Sequence, residues 1–335
     1  MRPRLGLAVA GALAALAVLA PLARAAYDPL ASGATKLTLD RSFLALLKQN
    51  GVRLSATAPA KLTGGSVSFP VTGGKFDPAA GRGKVEHEGA LVFKAGNRSV
   101  PVKALQLKTT QRRSPFSAKV GGSQLKLATV RALTVARAGF GERIAVARLA
   151  LSAKLATRLG KKLRLEGVFR EGLPLGSART MVQPETVTVL GRNRATLAFA
   201  PDFAAKLASL FVAVNPIFPA EHPAAGFTLP IFGGTIAPDG SRGEIVTSGA
   251  LEFLQLGGGQ VFWAEMRFDP ATLALSSPPL ADPKARTVGF AGAALALDAA
   301  TAATFNETFA KPKGKDGVFV AGEALATLSF VAQGQ

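Results

Sequence analysis

The chain contains no cysteine, so it forms no disulfide and no thiolate metal site. It has two histidines, His87 and His222, with one tyrosine and one tryptophan in 335 residues. An imidazole-based catalytic or metal centre needs partner residues at fixed spacing, and neither histidine has them nearby in sequence. No G-x-S-x-G elbow is present, and Gly73-Gly74-Lys75 lacks both the spacing and the following Ser or Thr of a phosphate-binding loop. A dinucleotide fingerprint would need a βαβ frame that the chain does not offer. We therefore expect no enzyme.

The longest apolar run is at the start. Arg2 and Arg4 precede an almost wholly Ala, Leu, Val and Gly stretch from Leu5 to Leu22, which Pro21 interrupts before Ala23-Arg24-Ala25. This is the pattern of a cleaved export signal, residues 1–25, and predicts a secreted or cell-wall associated protein. No later run reaches the roughly 20 apolar residues of a membrane-spanning helix, so no transmembrane anchor is expected in the mature chain. With no staples, the mature chain must be held by its hydrophobic cores, and its length suits two domains.

What the chain has is a repeat. A shift of 160 residues superimposes Leu37–Phe93 on Leu197–Phe253 without a gap, with 17 identities in 57 positions. Most are turn or core residues. Gly167-Val168-Phe169 returns as Gly317-Val318-Phe319 at a shift of 150, so the second copy is about ten residues shorter in its middle. The expected organisation is an N-terminal segment 26–36, a first domain 37–190 and a second domain 195–335, joined by the polar link Gly191-Arg192-Asn193-Arg194.

Periodicity predicts the fold class: all-β with minor α, as two homologous antiparallel β-sandwich domains with one or two short helices each. Val67, Phe69 and Val71 alternate with Ser66, Ser68 and Pro70, and Phe227, Leu229 and Ile231 repeat the pattern. Pro70, Gly73 and Gly74, with Pro230, Gly233 and Gly234, mark structural turns or bulges. The Gly- and Pro-rich run from Asp77 to Gly83 reads as a hairpin loop leading into one strand through Leu91 and Phe93. Asp40 is a helix cap, with Phe43, Leu46 and Leu47 on one face; in the second copy Pro201 opens the helix and Phe203, Leu207 and Leu210 point inward. Leu149-Ala150-Leu151-Ser152 and Leu295-Ala296-Leu297-Asp298 predict a second strand-to-helix unit in each domain.

Charge separates the copies. Residues 26–180 hold 27 Lys and Arg against 8 Asp and Glu, a net of +19, while residues 181–335 hold 10 against 13, a net of −3. Such asymmetry draws polyanions or an anionic envelope polymer by long-range attraction, the alternative being an ordinary solvated surface. The candidate contact residues are Arg112, Arg113, Lys161, Lys162 and Arg164, with Lys162 and Arg164 alternating with Leu163 and Leu165 as on a strand. Nucleic acid is the poorer partner, because the basic half has few aromatics free to stack on bases. Glu86 and Glu88 flank His87 but become Val246 and Ser248 in the second copy, which reads as solvated carboxylates around a strand histidine.

The repeated segment resembles the HtaA domain family of secreted and surface proteins of high-GC Gram-positive bacteria. The residues that carry the resemblance are Ser42-Phe43, the run Phe69 to Gly74, Asp77-Pro78, Gly83, and His87 to Phe93. In the second copy they are Asp202-Phe203, the run Leu229 to Gly234, Pro238, and Gly249 to Phe253. The resemblance implies an all-β domain with a short helix and a role in binding or passing haem. It also implies a haem-ligating Tyr three residues after the helix Phe, where this chain has Leu46 and Lys206, and a His after the strand, where it reads Lys94-Ala95-Gly96 and Leu254-Gln255-Leu256. Haem, or a related hydrophobic ligand, would then depend on His87 or His222. The two readings carried forward are a surface binding protein of this type and a wall-associated adhesion module holding anionic polymer through the first domain.

Overall fold

A computed structural model describes residues 26–111, 113 and 115–335; the segment read as an export signal, and Arg112, lie outside the described residues. Each copy forms an all-β, sandwich-like domain in which every strand pairing is antiparallel. In the first, one sheet folds over a core that includes Phe43, Val67, Phe76, Phe93, Leu107 and Leu159. Its centre is the strand Asp28–Leu39, paired on one side with Pro174–Pro184 and on the other with Ser66–Asp77. That strand takes in most of residues 26–36, set apart in the sequence reading.

The second domain repeats the plan. Arg194–Phe199 lies between Phe227–Ile236 and Ala324–Gly334, as Asp28–Leu39 does in the first. Val187–Leu190 pairs with the strands of this second sheet, so the link Gly191–Arg194 is an internal turn and the domains meet at Glu185-Thr186. Val212–Ile217, Ala250–Gln255 and Gln260–Ala264 form a separate three-stranded sheet.

The helices form where caps and apolar spacing allow them. In α1 (Arg41–Gln49) the Asp40 carboxylate accepts from Ser42 N at 2.8 Å, and Phe43 and Leu47 are buried with Leu46 half-buried. In α2 (Ala153–Leu163) Ser152 Oγ accepts from Leu155 N and donates to Lys126 O. α3 (Pro201–Ser209) has Pro201 at its start and no side-chain cap, and α4 (Ala299–Phe305) is capped by Asp298. Helix α2 corrects the sequence reading of residues 161–165. Lys161, Lys162 and Leu163 belong to its last turn, and Arg164 ends it in the left-handed conformation at φ 55°. Leu155, Leu159 and Leu163 recur at helical spacing, and the four-residue period overrides the local alternation.

The run from Arg82 to Ala95 also differs: it is two strands, Arg82–His87 and Ala90–Ala95, broken at Gly89, where φ is +87°. An added Cβ at Gly89 would lie 2.4 Å from Ala60 N, so the break depends on glycine. Pro70 and Pro230 each precede a bulge, the registers slipping between Val71 and Gly73 and between Ile231 and Gly233. Gly74 and Gly234 take positive φ there, as the bulge reading requires.

Buried charge joins the domains. Arg286 of the second lies between Asp28 and Glu142 of the first, with Nη1 3.4 Å from Glu142 Oε1 and Nη2 3.8 Å from Asp28 Oδ2. All three side chains are buried. Burial pushes Glu142 up to about 7, against the pull of Arg286, and burial also raises Asp28, against hydrogen bonds from Thr188. Beside this joint, Phe140 of the first domain packs in the core of the second, and Arg242 pairs with Glu185 at 2.9 Å.

Candidate functional site

His87 is buried in the first domain. Its Nδ1 lies 3.0 Å from Leu105 O, which can only accept, so Nδ1 carries the proton. Nε2 then accepts from Thr35 Oγ1 at 2.6 Å, and Thr35 Oγ1 accepts from Thr180 Oγ1 at 2.6 Å. Burial lowers the imidazole to about 4. Both ring nitrogens are engaged, leaving no lone pair for a metal, and His87 leaves the candidate ligands. In the second domain the same three positions hold Ala195, Thr247 and Phe330, so the polar chain is gone and Thr247 Oγ1 donates instead to Met266 O at 3.1 Å.

His222 differs. It is exposed and lies flat on Phe227, ring centroids 4.0 Å apart and planes 8° from parallel. Among the described residues its ring has no hydrogen-bond partner. It edges a groove of about 420 Å³ walled by Leu207 and Ala208 of α3, by Val212 and Val214, and by Phe199. The first domain has the same groove: Leu44, Leu47 and Lys48 of α1, Val52 and Leu54 line about 690 Å³, with Leu62 where the second has His222. The loop bearing His222 is held by Arg194, which pairs with Glu221 at 3.1 Å and donates to Pro219 O at 3.0 Å. The tyrosine positions implied by the resemblance supply no free ligand, since Leu46 is apolar and Lys206 is ion-paired to Glu323.

The basic residues gather differently from the sequence expectation. Lys154, Arg158, Lys161 and Lys162 of α2 line one groove of about 520 Å³ with Leu125. Arg164 caps the same helix, exposed, while Arg113 is exposed in the turn after Arg98–Lys108 and does not line that groove. A second groove, about 930 Å³, is edged by Arg41, Arg131 and Arg148. Spacing within α2 could have identified Lys154 and Arg158, but Arg41, Arg131 and Arg148 come from three separate segments and no linear signal unites them. Of the first-domain cations, Lys84 is the one with a carboxylate within ion-pair distance among the described residues. The pairs Lys154/Arg158 and Arg158/Lys162 are like charges four residues apart, each costing the helix about 0.2–0.5 kcal/mol.

No helix among the described residues is long and apolar enough to cross a membrane. No protein-family model matches the chain. No curated protein matches it either. Among solved structures it is similar to the crystal structure of the C-terminal domain of HtaA from Corynebacterium glutamicum, over 47% of this chain and 98% of that one, at 11% identity and a TM-score of 0.37.

Proposed function

We propose that the chain is an exported, non-enzymatic binding protein whose first domain holds it to anionic polymer of the cell envelope. The supporting observation is the unneutralised basic face of α2, where repelling cations are kept four residues apart with no carboxylate within ion-pair distance among the described residues. An external polyanion supplies the missing counter-charge, and the open grooves at α2 and at Arg41, Arg131 and Arg148 admit a chain without enclosing it. Such attachment rests on screened charge, so it weakens steeply as salt rises. The test is retention of the mature protein on immobilised polyphosphate across a salt gradient. Lys154→Gln with Lys161→Gln and Lys162→Gln should elute at clearly lower salt; unchanged elution would refute the reading.

His222 favours a second reading, a haem or similar planar apolar ligand in the α3 groove. The donor set offers one free imidazole: His222 would hold the iron, and Leu207, Val212 and Val214 would exclude water. A haem there would supply redox or carrier chemistry that the side chains lack. A haemin titration should give a Soret shift that His222→Ala abolishes and His87→Ala leaves in place. A shift that survives His222→Ala would assign the ligand elsewhere.

A further inference from the structure

We propose that the outer face of the second domain's three-stranded sheet is the seat of a second copy of this chain, packed face to face.

Alternation along these strands sends Val212, Leu251 and Phe253 into the core and the residues between them outward. The first domain shows what this fold ordinarily places outside: Arg53 and Thr57, with Lys94 on the neighbouring strand and Lys103 on the third. In the second domain those positions hold Ala213, Ile217, Leu254 and Ala264. Three cations have become apolar.

The ends of the face change in the same direction. Gly51, at φ +62°, becomes Phe211 at φ +56°, a bulky residue in the left-handed region and 67% exposed. An L-residue there costs about 1–2 kcal/mol, and Phe211 recovers little of it by burial. Leu256, which replaces Gly96, is 77% exposed and donates its backbone N–H to Phe211 O. Phe262, where the first domain has Pro101, is half exposed on the third strand. Strain kept for an exposed aromatic points to a partner surface.

The chemistry selects a copy of the same face. A two-fold interface sets each residue near its own kind, so a face carrying Arg53, Lys94 and Lys103 would repel itself, and the substituted face has lost all three of those charges. The face gains one carboxylate, Glu252 in place of Val92, which is half-buried and accepts from Asn215 Nδ2 at 3.0 Å. The second domain carries net −3 against +19 for the first, so joining here brings together the halves with little mutual repulsion. No residue of the face takes part in the joint between the domains. Strand rise and spacing make it roughly 20 by 14 Å. That is small beside the roughly 800 Å² per partner of standard interfaces, so the association is weak and reversible.

The experiment is sedimentation of the mature protein, Ala26 to Gln335, from micromolar to near-millimolar concentration at low and high salt, beside Leu254→Lys/Ala264→Lys. Both substitutions install what the first domain already carries at those positions, and their melting temperature confirms folding. The expected result is a monomer–dimer equilibrium in the parent, unweakened by salt, and about a tenfold or greater loss of affinity in the variant. A parent that stays monomeric throughout would overturn the proposal, as would a dimer that the variant leaves unchanged. Phosphatidylcholine vesicles, which carry no net charge to attract the basic first domain, are sedimented in parallel: a monomeric parent that binds them while the variant does not would assign the face to lipid and also overturn it.

Discussion

At the scale of single residues, two buried groups titrate in opposite directions. His87 holds its proton less tightly in the folded chain, about 4 against an ordinary 6.5, so its contribution is complete above about pH 6.5 and is lost as pH falls towards 4. Glu142 holds its proton more tightly, about 7 against 4.5, so its contribution is complete below pH 4.5 and is lost as pH rises through 7. Between about pH 4.5 and 6.5 the two windows overlap and act in opposite directions, so each offsets the other in the parent protein. Glu142→Gln removes one side of the balance. Thermal melts from pH 4 to 7 should show the variant losing stability with acid much more steeply than the parent; parallel curves would show that Glu142 is not raised. The imidazole signals of His87 should stay unshifted down to about pH 5 in an NMR titration.

At the scale of elements, the bulge is the feature both domains keep most faithfully. A Cβ at Gly74 would meet Lys84 O at 2.1 Å, and one at Gly234 would meet Glu244 O at 1.9 Å, both at positive φ. Gly74→Ala should therefore destabilise the first domain by more than about 2 kcal/mol, read by denaturant unfolding. Gly51→Ala, also at positive φ but with nothing within 4 Å, should cost only about 1 kcal/mol. Equal losses would mean that backbone conformation, not the close approach of the neighbouring strand, sets the requirement. The glycines and prolines of this turn were legible in sequence because each excludes other residues by a local steric rule. The end of α2 is not legible in the sequence, because Leu163 and Leu165 suit a strand as well as a helix and only the buried positions of Leu155 and Leu159 decide between them.

At the scale of the whole molecule, the joint between the domains rests on Arg286. Among the described residues its Nε and Nη2 have no hydrogen-bond partner, and burial lowers its pKa despite two carboxylates nearby. Removing one member of a buried charge cluster leaves the others uncompensated and typically costs 3–5 kcal/mol. Arg286→Ala should accordingly loosen the joint. Calorimetry is expected to resolve the two domains as separate transitions in the variant where the parent melts as one; a single unshifted transition would show that Phe140 and the Arg242–Glu185 pair suffice. Such uncoupling leaves the basic face of α2 intact, so the salt-dependent retention expected of the proposed function should survive it.

By itself the sequence determined the duplication, the all-β class, the caps, the bulges and the charge contrast between copies. All are set by neighbours in the chain, or by summed composition, and need no knowledge of what meets what. The tertiary structure decided which histidine is free. His87 and His222 are alike as letters, but strand register places Thr35 and Leu105 against one ring and leaves the other on an open groove. It also decided that Arg286 meets Glu142, 144 residues away, because long-range pairing, unlike a cap or a turn, is fixed only when the sheets close over their cores.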